Sequence, residues 1–152
     1  MKMERPIGYW LKRLDGLLEA AFDSVLAAEE LTRRHWQTMN TVRTAPQDAV
    51  ALIDVMRPFW GPGAITLDET ISELTQRGWL AQDDAGRYTL TPAGRAGHAS
   101  LEEKVHALRS TMLAGLTEDD YRVTVRVLRQ MTENLEPATG QEAAKPSRRP
   151  LR

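Results

Sequence analysis

The chain has 152 residues, of which 41% are hydrophobic and 27% charged, proportions that suit a globular protein of one domain, or of one domain and a tail. It has no cysteine, which rules out disulfides, thiolate catalysis and cysteine-ligated metals, and no apolar run approaches the roughly 18 residues that a membrane span needs. Net charge is −1, so no global basic excess points to nucleic acid; the charged start Met1-Lys2-Met3-Glu4-Arg5-Pro6 lacks the form of a secretory signal, and a cytoplasmic protein is the expectation.

Ile7, Leu11, Leu14, Leu18, Phe22, Val25 and Leu26 recur in steps of three and four, which predicts a first helix over 7–29, with Leu17 and Ala21 widening its apolar stripe. So long a stripe exceeds what a small three-helix core uses and implies a partner, either the far end of the chain or a second copy. Thr32 can cap a second helix that runs to about Val42, with Leu31 and Trp36 as its hydrophobic staple and Trp36, Met39 and Val42 facing inward. Thr44-Ala45-Pro46 is a break, and a third helix over 47–57 stops at Pro58. The loop Phe59-Trp60-Gly61-Pro62-Gly63-Ala64 then leads to a fourth helix. There Thr66 and Glu69 have capping-box spacing, Leu67, Ile71 and Leu74 form the buried face, and Gly78 is the stop.

The segments 79–82 and 87–90 read as short strands about the turn Asp83-Asp84-Ala85-Gly86. Thr91-Pro92 opens a fifth helix, with threonine as cap and proline at the first position, where a missing N–H costs nothing. Leu101, Val105, Leu108 and Met112 space themselves along it, and Gly115 ends it. Thr117 and Asp120 box the start of a sixth helix, whose face runs Tyr121, Thr124, Leu128, Met131 and Leu135. From Pro137 large apolar residues nearly vanish and disorder is expected; Lys145, Arg148, Arg149 and Arg152 against Glu142 give the tail a charge of +3, suited to solubility or to a loose contact with DNA.

The order is mainly α, with four helices, a two-stranded hairpin and two further helices. A third and fourth helix followed directly by a hairpin is the layout of a winged helix-turn-helix, and the long helices at both ends supply a dimerisation region. Five strings in this order resemble the MarR family of bacterial regulators: Ile7-Gly8-Tyr9-Trp10-Leu11-Lys12-Arg13-Leu14, Leu31-Thr32-Arg33-Arg34-His35-Trp36-Gln37, Leu74-Thr75-Gln76-Arg77-Gly78-Trp79-Leu80, Leu90-Thr91-Pro92-Ala93-Gly94-Arg95 and Gly115-Leu116-Thr117-Glu118-Asp119-Asp120. The resemblance covers about 7 to 136. It implies a DNA-binding homodimer whose fourth helix enters the major groove, whose wing follows the minor groove, and which responds to small aromatic or phenolic anions.

Carried onto this chain, the DNA-facing candidates are Thr66, Asp68, Glu69, Thr70, Glu73 and Arg77 on the fourth helix, Arg87 on the wing, and Arg43 and Arg57 beside them. A ligand crevice would join Tyr9, Trp10 and Arg13 of the first helix to His35, Trp36 and Met39 of the second. The dimer interface would use Ile7, Leu11, Leu14, Leu108, Met112, Tyr121, Leu128, Met131 and Leu135. The chain departs from the family where DNA would bind. Carboxylates crowd the fourth helix, the wing tip is Asp83-Asp84 instead of arginine, and the loop before the fourth helix is long. The alternative is therefore a winged-helix dimer with weak or lost DNA binding, acting as a protein-interaction or ligand-binding module.

No GxGxxG, P-loop or G-x-S-x-G is present, and His98 and His106 stand too far apart on one helix for a metal pair, so they read as surface histidines. No enzyme, metal or cofactor is expected.

Overall fold

A computed structural model describes residues 4–59 and 61–137; Trp60 and the basic tail lie outside the described residues. The chain divides into two units, with the boundary between Thr111 and Met112. The elements in order are α1 (Ile7–Leu26), α2 (Arg33–Thr44), α3 (Ala49–Met56), α4 (Leu67–Gln76), β1 (Leu80–Gln82), β2 (Tyr88–Leu90), α5 (Pro92–Met112) and α6 (Glu118–Leu135). This is a mainly helical fold with a two-stranded antiparallel wing between α4 and α5. None of its described helices is long and apolar enough to cross a membrane.

The first unit is organised around the side chains that the helical and strand periodicities turn inward. Leu26, Met39, Leu52 and Leu74, from α1, α2, α3 and α4, are fully buried, and Leu31, Trp36, Val42, Met56, Leu67, Leu80, Leu90 and Leu101 complete the core. Burying each such side chain is worth about 1.5–3 kcal/mol, so this cluster is the chief force holding α2, α3, α4 and the wing together.

Helix ends follow local chemistry. α1 ends earlier than its apolar pattern suggests, because the chain tightens into a 3-10 turn at Ala27–Glu29, and Glu30 takes a left-handed φ of 59° to redirect it. Thr32 forms a capping box, with His35 in the third helical position. Thr66 and Glu69 form the box of α4, the Thr66 hydroxyl accepting from Glu69 N–H at 3.1 Å while Glu69 Oε1 accepts from Thr66 N–H at 3.0 Å. These hydrogen bonds favour the ionised Glu69 carboxylate and lower its pKa, that from the Thr66 backbone most. Gly78, at φ 83°, occupies the left-handed position after α4 that a side chain would strain.

The third helix starts at Ala49, two residues later than its apolar run suggests, with Asp48 as its cap. Gln47 is occupied elsewhere. Its N–H donates to Tyr88 O at 3.1 Å and its carbonyl accepts from Tyr88 N–H at 2.7 Å, so the segment between α2 and α3 pairs with β2.

Each strand begins one residue later than expected, and they pair Leu80 with Leu90 and Gln82 with Tyr88. At the hairpin tip Asp83 Oδ1 accepts from Ala85 N–H and from Arg87 N–H, each at 2.9 Å, and Gly86 has φ 81°. The Asp83 carboxyl is held below its usual pKa, chiefly by the Arg87 backbone hydrogen bond, which marks a turn-forming role. Thr91 caps α5 through Gly94 N–H at 3.0 Å.

In the second unit Gly115 has φ 82°, the Thr117 hydroxyl accepts from Asp120 N–H at 2.9 Å, and α6 follows. No residue of α6 is fully buried.

Candidate functional site

α4 is the helix that the resemblance described above leads one to expect at a DNA groove. Its buried side is Leu67, Thr70 and Leu74. Thr70, a groove candidate by sequence, is thus corrected: it is fully buried and its hydroxyl donates to Thr66 O at 2.8 Å. Asp68, Glu69, Ser72, Glu73, Thr75 and Gln76 are exposed. Ser72, Thr75 and Gln76, absent from the candidates read in the sequence, share this exposed side. The signal that would have found them is the helical complement of the Leu67–Thr70–Leu74 face.

The carboxylates on this helix are largely engaged. Glu69 closes the capping box. Glu73 lies 2.8 Å from Nε2 of His35, whose Nδ1 accepts from Thr32 N–H at 2.9 Å. Since Nδ1 is an acceptor, the proton sits on Nε2 and donates to Glu73. Burial lowers the pKa of His35 against the opposing pull of Glu73, so the imidazole is held neutral. Asp68 alone on α4 carries a carboxylate with no such partner among the described contacts.

The candidate cations divide into two groups. Arg77 Nη2 donates to Glu29 O at 2.6 Å, its Nη1 lies 3.7 Å from Glu29 Oε1, and its guanidinium sits 5.0 Å from the Trp79 ring. It therefore ties the end of α4 to the turn after α1. Arg87 Nε donates to Asp83 Oδ2 at 3.0 Å, inside the hairpin. Arg43 and Arg57 are exposed, on α2 and after α3.

The expected ligand residues are not gathered into one crevice. Tyr9, Trp10 and Arg13 are exposed near the start of α1, where Tyr9 and Trp10 meet edge to face at 4.9 Å. Met39 is fully buried in the core and His35 is bound to Glu73. Of the six, Trp36 lines a cleft along α2. That cleft, of about 580 Å³, is bounded by Phe22, Arg33, Trp36, Gln37, Asn40, Thr41, Thr44, Gln47, Val55 and Phe59. Its volume is in the range of small-molecule sites. The helical spacing 33, 36, 37, 40, 41, 44 marks one face of α2, a pattern present in the sequence but overshadowed there by the aromatic residues of α1.

His98 corrects the expectation of a surface histidine. It is 1% exposed, its ring stacks on Trp36 with centroids 4.5 Å apart, and its Nε2 is 3.0 Å from Asn40 Oδ1. Burial, reinforced by the charge of Arg43, depresses its pKa. Among the described residues no three acidic or histidine side chains gather as a metal site.

Of the residues expected at a dimer interface, Ile7, Leu11, Leu14, Met131 and Leu135 are exposed, Leu135 by 87%. Leu108, Met112, Tyr121 and Leu128 are half-buried.

No family model matches the sequence. Solved structures do match. Rv2887 of Mycobacterium tuberculosis, a MarR family protein solved with salicylic acid, is 25% identical with a TM-score of 0.65, over 84% of this chain and 97% of that one. The same protein in complex with DNA gives 25% identity and a TM-score of 0.63, over 84% and 98% of the two chains. BpsR of Bordetella bronchiseptica, whose DNA binding is regulated by 6-hydroxynicotinic acid, is 21% identical with a TM-score of 0.66, over 87% and 96%. The structural neighbours are MarR family regulators, and this chain has their winged helix-turn-helix fold.

Proposed function

We propose that the chain is a DNA-binding transcription regulator of the MarR type, a cytoplasmic homodimer on a pseudo-palindromic operator that a small aromatic ligand releases. The observation that carries this reading is the seating of α3, α4 and the wing on one buried core, with the outer face of α4 left open. Rv2887, of like fold, has been solved on DNA. The exposed apolar residues of α1 and of α6 would form the dimerisation region, and two copies would then present paired α4 helices to successive half-sites.

The cleft along α2 would hold the effector. α2 also carries His35, hydrogen-bonded to α4, so a ligand that displaces α2 has a direct mechanical route to the groove-facing helix. Mobility-shift assays with the DNA flanking the coding sequence test the proposal. Salt-sensitive binding at low ionic strength is expected, and none at any salt concentration would overturn it.

A second reading is a winged-helix dimer that binds a protein or a ligand and not DNA. It is favoured by the character of the exposed α4 surface, where the solvent-facing carboxylates of Asp68 and of the capping residue Glu69 lie and Arg77 is tied to Glu29. A dimer with intact ligand binding and no retardation of DNA would select it.

A further inference from the structure

The cleft along α2 contains one cation, and that cation is already neutralised. Arg33 is nine-tenths buried, and its Nη1 donates to Asp15 Oδ1 at 3.0 Å and to Glu19 Oε1 at 3.1 Å. The guanidinium lies 5.6 Å from the Phe22 ring centroid and 5.4 Å from that of Phe59, so aromatic faces hold it as well. Its neighbour Arg34, which does not line the cleft, shares Glu19 at 3.1 Å and donates to Gln37 Oε1 at 3.1 Å. Two cations are matched by two carboxylates. The other described residues of the lining are apolar or uncharged: Phe22, Trp36, Val55 and Phe59, with Gln37, Asn40, Thr41, Thr44 and Gln47.

An aromatic carboxylate in this cleft would lose water without gaining a free counter-charge, and it would lie near Glu19 and Asp15. A carboxylate moved out of water is stabilised only by full pairing, whereas a neutral polar group needs only a hydrogen bond. The uncharged lining supplies such hydrogen bonds. The Gln37 amide oxygen is occupied by Arg34 and that of Asn40 by His98, which leaves the amide N–H groups of both residues as donors. Both residues line the cleft one helical turn apart, beside the ring of Trp36.

We infer that this cleft selects an uncharged planar aromatic bearing a carbonyl-type acceptor, such as an aromatic amide or ketone, over an aromatic carboxylate. The inference rests on the effector reading given above. It sets this chain apart from its structural neighbours, of which Rv2887 was solved with salicylic acid and BpsR is regulated by 6-hydroxynicotinic acid.

The test is calorimetric titration of the full chain at neutral pH with a matched pair, 4-hydroxybenzamide and 4-hydroxybenzoate. The amide is expected to bind at least about tenfold more tightly. Gln37→Leu should weaken amide binding and so locate it in the cleft. Glu19→Gln leaves the two arginines with a single carboxylate and should move the preference toward the benzoate by about tenfold. Tighter binding of the benzoate by the unaltered chain, or a preference that Glu19→Gln leaves unmoved, overturns the inference while the effector site stands. Binding of neither compound overturns the effector reading together with the inference.

Discussion

The imidazole of His35, on α2, donates from Nε2 to the Glu73 carboxylate of α4 across 2.8 Å, although the two residues are 38 positions apart. His35 is 1% exposed and its other nitrogen accepts from the backbone of Thr32. Both ring nitrogens are thus committed to one tautomer, and a second proton would break the capping box of α2.

Stability is therefore expected to depend on acid. Burial is the first cause that lowers the pKa of both His35 and His98 from the ordinary imidazole value of 6.5. The unfolded chain then binds protons more readily than the folded one, so their contribution is fully present above pH 6.5 and is lost as pH falls through the depressed folded values. Thermal melts across this range should show a flat Tm above 6.5 and a decline below it. His35→Gln should flatten part of that decline; a Tm independent of pH in the unaltered chain would contradict the assignment of buried neutral imidazoles.

Gly94 should not tolerate a methyl group. A Cβ there would overlap the backbone carbonyl oxygen of Trp79, which cannot swing aside as a side chain can. Alanine gains about 1 kcal/mol in helix propensity over glycine. Overpacking against backbone costs more, typically about 1–3 kcal/mol and here at the upper end. Gly94→Ala should lower stability by about 2 kcal/mol on balance, read by urea denaturation. An unchanged midpoint would mean that the β1–α5 junction can open.

Replacing Leu128 and Met131 by aspartate tests the proposed dimer. Leu128 is half-buried and Met131 is 44% exposed, so two charges on this face of α6 should disrupt association more than local folding. Light scattering should show a dimer for the unaltered chain at micromolar concentration and a monomer of unchanged helicity for the double variant. A dimer in both cases would place the interface elsewhere.

The arginines should separate by salt dependence. Arg43→Ala and Arg57→Ala, at exposed positions, should each reduce the slope of log affinity for DNA against log salt by about 1 if the residue meets a phosphate. Arg77→Ala should chiefly loosen the end of α4 from Glu29, lowering Tm while moving the slope little. Titrations at several salt concentrations distinguish the two behaviours.

Much of the frame could be read from the chain because it is written in local chemistry. Thr66 with Glu69 and Thr117 with Asp120 satisfy N-terminal backbone groups within four residues, Thr91 caps where Pro92 has no N–H to satisfy, and this spacing marked the starts of α4, α6 and α5. The turn residues Asp83-Asp84-Ala85-Gly86 between two short strand-like runs did the same for the hairpin. What escaped depends on partners distant in sequence. His98 meets Asn40 from 58 positions away, which no periodicity encodes, and its burial was missed for that reason. The cleft was missed because its floor is one face of α2, and its other walls, Phe22, Gln47, Val55 and Phe59, come from elsewhere in the chain. The late start of α3 reflects Gln47, whose backbone is recruited by Tyr88, a demand invisible in the apolar run that follows it.

That exchange between Gln47 and Tyr88 changes what the hairpin is. Its inner strand is bonded on both edges, by β1 on one side and by the linker after α2 on the other, so it is a shared central strand and not a free ribbon. A tilt of the wing is geared to the linker that launches α3, and the Tyr88 amide should be among the slower ones in the hairpin to exchange with deuterium.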